Sequence, residues 1–139
     1  MGRTPEIAES SRNPLIDSIA DWLINQALAD APIHDLFEKT CMQLHAAGIP
    51  ITRAQVGFRV LHPLFDAQTL TWKKGQEVEL ANYLSNRDAS QWEASPLYHM
   101  VVNDIPHLRR HLVGEEAIVD FEIIKILRDE GYTLSLIHI

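Results

Sequence analysis

Apolar residues follow a helical period in the first third of the chain. Over residues 14–29 and again over 33–44 they recur every three to four positions, which is the spacing of an amphipathic helix. Asn13 before a proline marks the start of the first helix, and Asp30 is expected to cap the second. Gly48 is expected to end the second helix. The pattern predicts two consecutive helices.

The period changes to two after residue 52, which predicts strands. Val56 and Phe58 alternate with polar or small residues, as in a half-buried strand. A second strand is predicted over 67–73, where Leu70 and Trp72 share one face. Because a turn-forming Lys-Gly pair follows, we expect these strands to form part of an antiparallel sheet.

The remaining segments mix helical and strand signals. Residues 79–91 are polar and weakly patterned, which predicts an excursion over the surface. Ser95 is expected to cap a short helix, residues 107–114 to form a strand, and Asp120 to cap a last helix that ends at Gly131. The order of elements predicts the α+β class, an antiparallel sheet flanked by helices.

The chain length predicts one domain, and both termini are expected to lie outside it. A polar stretch at 1–12 is expected to be a flexible leader, and residues 13–133 to form the domain. The final "LSLIHI", residues 134–139, follows a helix stop and resembles the translated adapter tail of assembled environmental sequences. We expect a truncated domain with a non-native tail there; a genuine C-terminal edge strand is the alternative.

Charge and composition restrict the partners. The net charge is −7, so the chain lacks the excess of Lys and Arg with which proteins neutralise nucleic-acid phosphates or anionic lipids. No apolar run reaches the ~18 residues of a membrane-spanning helix. Cys41 is the one cysteine, which fits a reducing compartment. These features predict a cytoplasmic protein with neither a nucleic-acid nor a membrane partner.

The candidates for chemistry have simpler interpretations. His107 and His111 would share a face of a helix, but on a strand they would lie about 13 Å apart, too far to share a metal ion. Arg109 and Arg110 would repel a cation, and on a strand only one of them could enter an anion pocket. Cys41 lies mid-helix beside apolar residues, which favours burial over nucleophilic catalysis. We therefore expect no metal site and no catalytic residue.

Aromatic residues offer the only candidate ligand site. Trp72, Trp22 and Trp92 could line a cavity, although packing in a core is the commoner fate of a tryptophan on the inner face of a hairpin. If the domain binds a small molecule, we expect an enclosed apolar pocket near Phe58, Trp72 and Tyr98.

Four stretches carry a resemblance to a known family. They are "WLINQAL" at 22–28, "LFEKTCMQLHAAGIPITRAQVGFRVLHPLF" at 36–65, "LTWKKGQ" at 70–76 and "SPLYHMV" at 95–101. "LRRHL" and "DFEIIKILRDEGYT" extend the match. Together they resemble the N-terminal regulatory region of bacterial class III adenylate/guanylate cyclase domain proteins. The densest part, 48–72, is a packing signature and not a catalytic motif.

The resemblance implies a GAF-like sensory or dimerising module. Its parent would convert ATP to cyclic AMP and pyrophosphate with Mg²⁺ or Mn²⁺ in a later domain, so this fragment would hold no cofactor. The implied partners are the downstream cyclase domain, a second copy in a homodimer, and a small-molecule ligand. Two alternatives stay open: a free-standing GAF- or PAS-like binding domain, and a small enzyme assisted by a metal at His107 and His111.

Overall fold

A computed structural model describes residues 13–84 and 88–139. The leader predicted for residues 1–12 lies outside the described residues. The chain divides between residues 85 and 86 into two compact units, and each contains helices and an antiparallel sheet. The α+β class is therefore confirmed. The boundaries 13–133, predicted for one regulatory domain, stay a prediction.

In residues 13–84, the described part of the first unit, two helices precede a three-stranded antiparallel sheet. The strand order is β1-β2-β3, with the middle strand hydrogen-bonded on both sides. The elements are α1 (Pro14–Leu28), α2 (Ile33–Ala46), β1 (Arg53–Arg59), β2 (Phe65–Lys73) and β3 (Glu79–Leu84). The predicted hairpin is confirmed, in a register that sets Val56 opposite Leu70 and Ala54 opposite Trp72.

Strand β3 corrects the predicted surface excursion. Residues 79–84 pair antiparallel with β2, and all six are exposed. Apolar and polar residues alternate along a strand when one of its faces is buried. A strand that is exposed on both faces shows little of this alternation, so its sequence does not identify it. The pairing supplies partners for the second edge of β2, whose backbone groups would otherwise be unpaired.

The helix caps of this unit were predicted with mixed success. The Asn13 side chain accepts a hydrogen bond of 3.0 Å from the backbone N–H of Leu15, as expected of an N-cap. The predicted cap at Asp30 is wrong. Asp30 has a φ of +57° in the turn between the helices, and Pro32 occupies the N-cap position of α2. Gly48, with a φ of +93°, follows the end of α2 as predicted.

The core of the first unit lies between α2 and one face of the sheet. Its buried residues are Cys41 of α2, Leu70 and Trp72 of β2, and Val78 just before β3. Half-buried side chains complete it: Phe37, Ile51, Ala54, Val56 and Phe58. The inward face of the predicted hairpin is therefore the apolar face that the alternation indicated.

Residues 88–139, the described part of the second unit, form three helices and a two-stranded antiparallel sheet. Its elements are α3 (Ala89–Glu93), α4 (Pro96–Val102), β4 (His107–His111), α5 (Glu122–Asp129) and β5 (Leu134–His138). Its core is formed by Leu112, Ile124 and Leu127, against which Phe121 and Tyr132 pack. In the described ranges 13–84 and 88–139, no helix combines the length and apolar character that a membrane crossing requires.

Two predicted caps in the second unit differ in outcome. Ser95 accepts a hydrogen bond of 3.1 Å from the backbone N–H of Tyr98 and caps α4 as predicted. Asp120 does not cap α5, because its carboxylate binds the Arg110 guanidinium and Phe121 takes the N-cap position. Strand β5 pairs with β4 along its whole length. The non-native origin proposed for residues 134–139 stays a prediction.

Candidate ligand site beside Trp72

A cavity of about 340 Å³ lies in the first unit, between the C-terminal half of α2 and the turn after β2. It is partly open to solvent. Its lining combines apolar, cationic and anionic side chains: Glu38, Met42, His45, Ala46, Trp72, Lys74, Gly75 and Gln76. The volume lies at the lower end of the range for small-molecule sites, about 300–1,000 Å³. The cavity therefore suits a compact ligand.

One wall of the cavity is a stripe along α2. Glu38, Met42, His45 and Ala46 follow the i, i+4, i+7, i+8 spacing that brings side chains to one face of a helix. Glu38, Met42 and Ala46 lie one position after Phe37, Cys41 and His45, and Phe37 and Cys41 are the residues through which α2 enters the core. The same helix therefore contributes both to the core and to the cavity.

The opposite wall is the end of β2 and the turn that follows it. Trp72 is 4% exposed, so most of its ring belongs to the core and only its margin borders the cavity. Lys74 and Gln76 follow in the turn, where Gly75 adopts a φ of +77°. That conformation favours glycine and directs the chain back toward β3. The backbone N–H of Lys74 donates to Thr52 O at 3.0 Å, which fixes the turn to the start of β1.

His45 presents a defined nitrogen. Its Nδ1 lies 2.9 Å from the carbonyl oxygen of Ile51, which can only accept a hydrogen bond, so Nδ1 carries a hydrogen and donates it. The cavity thus combines an imidazole with a carboxylate at Glu38 and an ammonium at Lys74. This set can hydrogen-bond a ligand that carries both donors and acceptors.

The predicted ligand residues occupy different places. Trp72 lines the cavity. Phe58 packs against the core of the same unit and is half-buried. Tyr98 belongs to the second unit, where its ring lies 6.0 Å from that of Trp92 in an edge-to-face arrangement. The grouping of the three as one ligand site stays a prediction.

The sequence interpretation missed most of the cavity wall. Glu38, Met42 and His45 form a helical stripe that could have been found by extending the analysis of α2 beyond its apolar face. The turn residues after Trp72 gave no signal, because they meet the helix only through the fold.

The histidine and arginine candidates lie on the sheet of the second unit. His107 and His111 are on strand β4, where strand geometry separates them by about 13 Å. The ring of His107 lies 4.7 Å from that of His138, and Arg109 contacts His111 Nε2 at 3.0 Å. No group of three or more potential metal ligands occurs among the residues that the structure describes.

Arg110 and Cys41 have structural partners. Arg110 makes hydrogen bonds of 2.8–3.2 Å to both carboxylate oxygens of Asp120. This pairing lowers the pKa of the Asp120 carboxyl and raises that of Arg110. Burial in the apolar core raises the pKa of the Cys41 thiol to about 11, which disfavours the reactive thiolate.

No family model, no curated protein and no solved structure matches the chain. The resemblance to the regulatory region of cyclase proteins therefore stays a prediction.

Proposed function

We propose that this chain is a regulatory module of a class III nucleotide cyclase and that it binds a small molecule in the cavity beside Trp72. Catalysis, with its Mg²⁺ or Mn²⁺, belongs to a downstream domain that makes cyclic AMP from ATP in the cytoplasm. The module itself is GAF-like in this proposal. The observation that carries it is the cavity, which has a tryptophan margin and groups of both charges.

The segments that carry the family resemblance support the proposal. Residues 36–65 and 70–76 include most of α2, all of β1 and part of β2, and they supply three of the four buried residues in the core cluster of the first unit. The same segments supply every residue of the cavity wall. The resemblance and the cavity therefore concern the same part of the molecule.

The position of the cavity suits regulation. A ligand there would contact both α2 and the turn after β2, so it would stabilise one relative placement of the helix and sheet. A ligand changes the activity of a distant domain only if it binds one state more tightly than another. A site that joins two elements can supply such a difference in free energy.

The ligand class follows from the lining. Met42 and the Trp72 margin offer an apolar surface, whereas Glu38, His45 and Lys74 offer hydrogen bonds to groups of either sign. We infer a small molecule with a flat ring and both donor and acceptor groups. Suitable probes are nucleobases and aromatic amino acids.

Thermal unfolding in the presence of each probe tests the site. A probe at about 100 times its Kd should stabilise the folded state by about 2.7 kcal/mol. Lys74→Met should abolish this shift, and Lys73→Met is the matched control because Lys73 does not line the cavity. The site is refuted if no probe raises the melting temperature, or if both substitutions weaken binding equally.

The link to a cyclase needs its own experiment. Sequencing the locus past Thr133 should reveal an in-frame cyclase domain; a stop codon in its place would remove the cyclase proposal. The present chain, incubated with ATP and Mn²⁺, should yield no cyclic AMP. The chain joined to its downstream domain should yield cyclic AMP at a rate that changes with a bound probe.

The cavity also favours a second candidate, the free-standing GAF- or PAS-like binding domain. Both candidates predict the same response to Lys74→Met. They differ in the genomic continuation, since only the first requires a cyclase domain after the module.

A further inference from the structure

The charged side chains of the ligand cavity lie at different positions along α2. The backbone N–H of Lys74 donates to Thr52 O at 3.0 Å. His45 Nδ1 donates to the carbonyl oxygen of Ile51 at 2.9 Å. Because these two acceptors belong to consecutive residues, Lys74 and His45 lie at the same end of the cavity. Glu38 precedes His45 by about two helical turns, which is about 10 Å along the helix axis.

The segment that follows β2 runs along α2 in the opposite direction. His34 Nε2 lies 3.4 Å from the carbonyl oxygen of Val78, so this segment ends beside the first turn of α2. It starts at Lys74, beside the last turn of the helix. The cavity between the segment and the helix is therefore elongated, with Lys74 at one end and Glu38 toward the other.

The two charges of the cavity have no partner of opposite sign. Across residues 13–84 and 88–139, neither Glu38 nor Lys74 forms an ion pair or a side-chain hydrogen bond. Glu38 is half-buried and Lys74 is exposed. A ligand that fills the cavity displaces water from both groups, and a charge that loses water without gaining a partner costs free energy. A ligand that supplies a cation to Glu38 and an anion to Lys74 avoids this cost.

The end of α2 does not compete with Glu38 for a cation. The carbonyl oxygens of residues 43–45 each accept a backbone hydrogen bond of 2.9–3.2 Å. Among the residues that line the cavity, Glu38 carries the one carboxylate and Lys74 the one ammonium group. A ligand with both charges is therefore held in one direction, with its cation toward Glu38.

We propose that the cavity binds an ω-amino acid, a molecule with an ammonium group and a carboxylate at opposite ends of an apolar body. This inference rests on the proposed ligand site and narrows its ligand class. The ammonium group binds Glu38 and the carboxylate binds Lys74. The body packs on Met42 and the margin of Trp72. An α-amino acid carries both charges on one carbon and reaches one end only, and a nucleobase leaves both charges unpaired.

Two isomers test the separation of the charges. Phenylglycine and para-(aminomethyl)benzoate contain the same atoms, but only the second has its charges at opposite ends of the ring. Calorimetric titration should give para-(aminomethyl)benzoate a dissociation constant at least about tenfold lower, because it gains a second charge-assisted contact. Benzylamine and para-methylbenzoate each lack one charge and should bind more weakly by a similar factor. Equally tight binding of any of these three compounds would overturn the inference.

Substitutions assign each charge of the ligand to its partner. In Glu38→Gln, the advantage of para-(aminomethyl)benzoate over para-methylbenzoate should vanish, because the ammonium group has lost its carboxylate. In Lys74→Met, its advantage over benzylamine should vanish. Glu79→Gln and Lys73→Met are the matched controls, since neither residue lines the cavity, and both advantages should persist there. An advantage that survives Glu38→Gln or Lys74→Met would overturn the assigned direction.

The outcomes separate this inference from the proposed function. If a nucleobase or phenylglycine raises the melting temperature and para-(aminomethyl)benzoate does not, the cavity is a ligand site and the ω-amino acid is wrong. If no probe of either set changes the melting temperature, the ligand site and the ω-amino acid both fall. A melting temperature raised most by para-(aminomethyl)benzoate, and no longer raised in Glu38→Gln, supports both.

Discussion

Cys41 is a probe of the first unit because it is the chain's one cysteine and lies in the core. Its side chain packs with Leu70, Trp72 and Val78. Burial raises the pKa of the thiol to about 11. At pH 8 about one thiol in a thousand is then ionised, against about one in four for an unperturbed cysteine with a pKa of about 8.5. A thiol reagent should therefore label Cys41 mainly in molecules whose core has opened transiently, the open form.

Leu70→Ala is the perturbation that tests this reasoning. Leu70 is 2% exposed, and its truncation leaves a cavity in the cluster that covers Cys41. Leu→Ala substitutions at such sites cost about 3 kcal/mol. If opening and closing are fast relative to labelling, the population of the open form sets the rate. The labelling rate should then rise by about two orders of magnitude.

The assay is reaction with a chromogenic disulfide at pH 8, followed by absorbance. Leu61→Ala is the matched control, because Leu61 is fully exposed and its truncation should change stability by less than about 0.5 kcal/mol. The reasoning is refuted if native Cys41 reacts as fast as a cysteine in a short peptide. It is also refuted if the two alanine variants label at the same rate.

Two further predictions concern the second unit. Asp120→Asn removes the ion pair with Arg110. Because the pKa of Asp120 is lowered in the folded state, the ion pair stabilises the fold fully at pH values above the unperturbed pKa of about 3.9. This stabilisation is lost as the pH falls through the folded-state pKa. Urea unfolding should show a loss below about 1 kcal/mol at pH 6 that vanishes in strong acid. Ser95→Ala removes the cap on α4 and should cost about 1 kcal/mol by thermal unfolding, whereas Ser18→Ala, within α1, should cost less; equal losses would contradict the capping role.

The sequence predicts a structural feature correctly where the feature depends on residues close to it along the chain. The α1 cap at Asn13 and the hairpin faces around Leu70 and Trp72 depend on neighbours a few residues away. These features were predicted correctly. The predicted cap at Asp120 failed for the opposite reason. Its carboxylate binds Arg110, ten residues earlier on β4, in place of the adjacent helix.

Strand β3 shows what local patterning cannot report. Its residues are exposed on both faces, so they show no alternation, and it forms because β2 offers a second edge. The cavity depends on the fold in the same way. Trp72 was predicted as a ligand residue, but Glu38 and Lys74 meet across it only after α2 packs on the sheet. The residue spacing along α2 could suggest the helical side of the cavity wall, but it gives no information on the residues of the turn that form the other side.

The residues with shifted pKa values bear on whether the chain contains a catalytic site. Clusters of shifted pKa values in a cleft are typical of catalytic sites. Here the shifted groups each have a structural cause: a core around Cys41, the backbone N–H of Ser90 on Asp88, and the mutual pairing of Arg110 with Asp120. None of these four residues lines the cavity beside Trp72. The shifts therefore supply no argument for catalysis, and the case for a binding module depends on whether Lys74→Met, and not Lys73→Met, abolishes a ligand's effect.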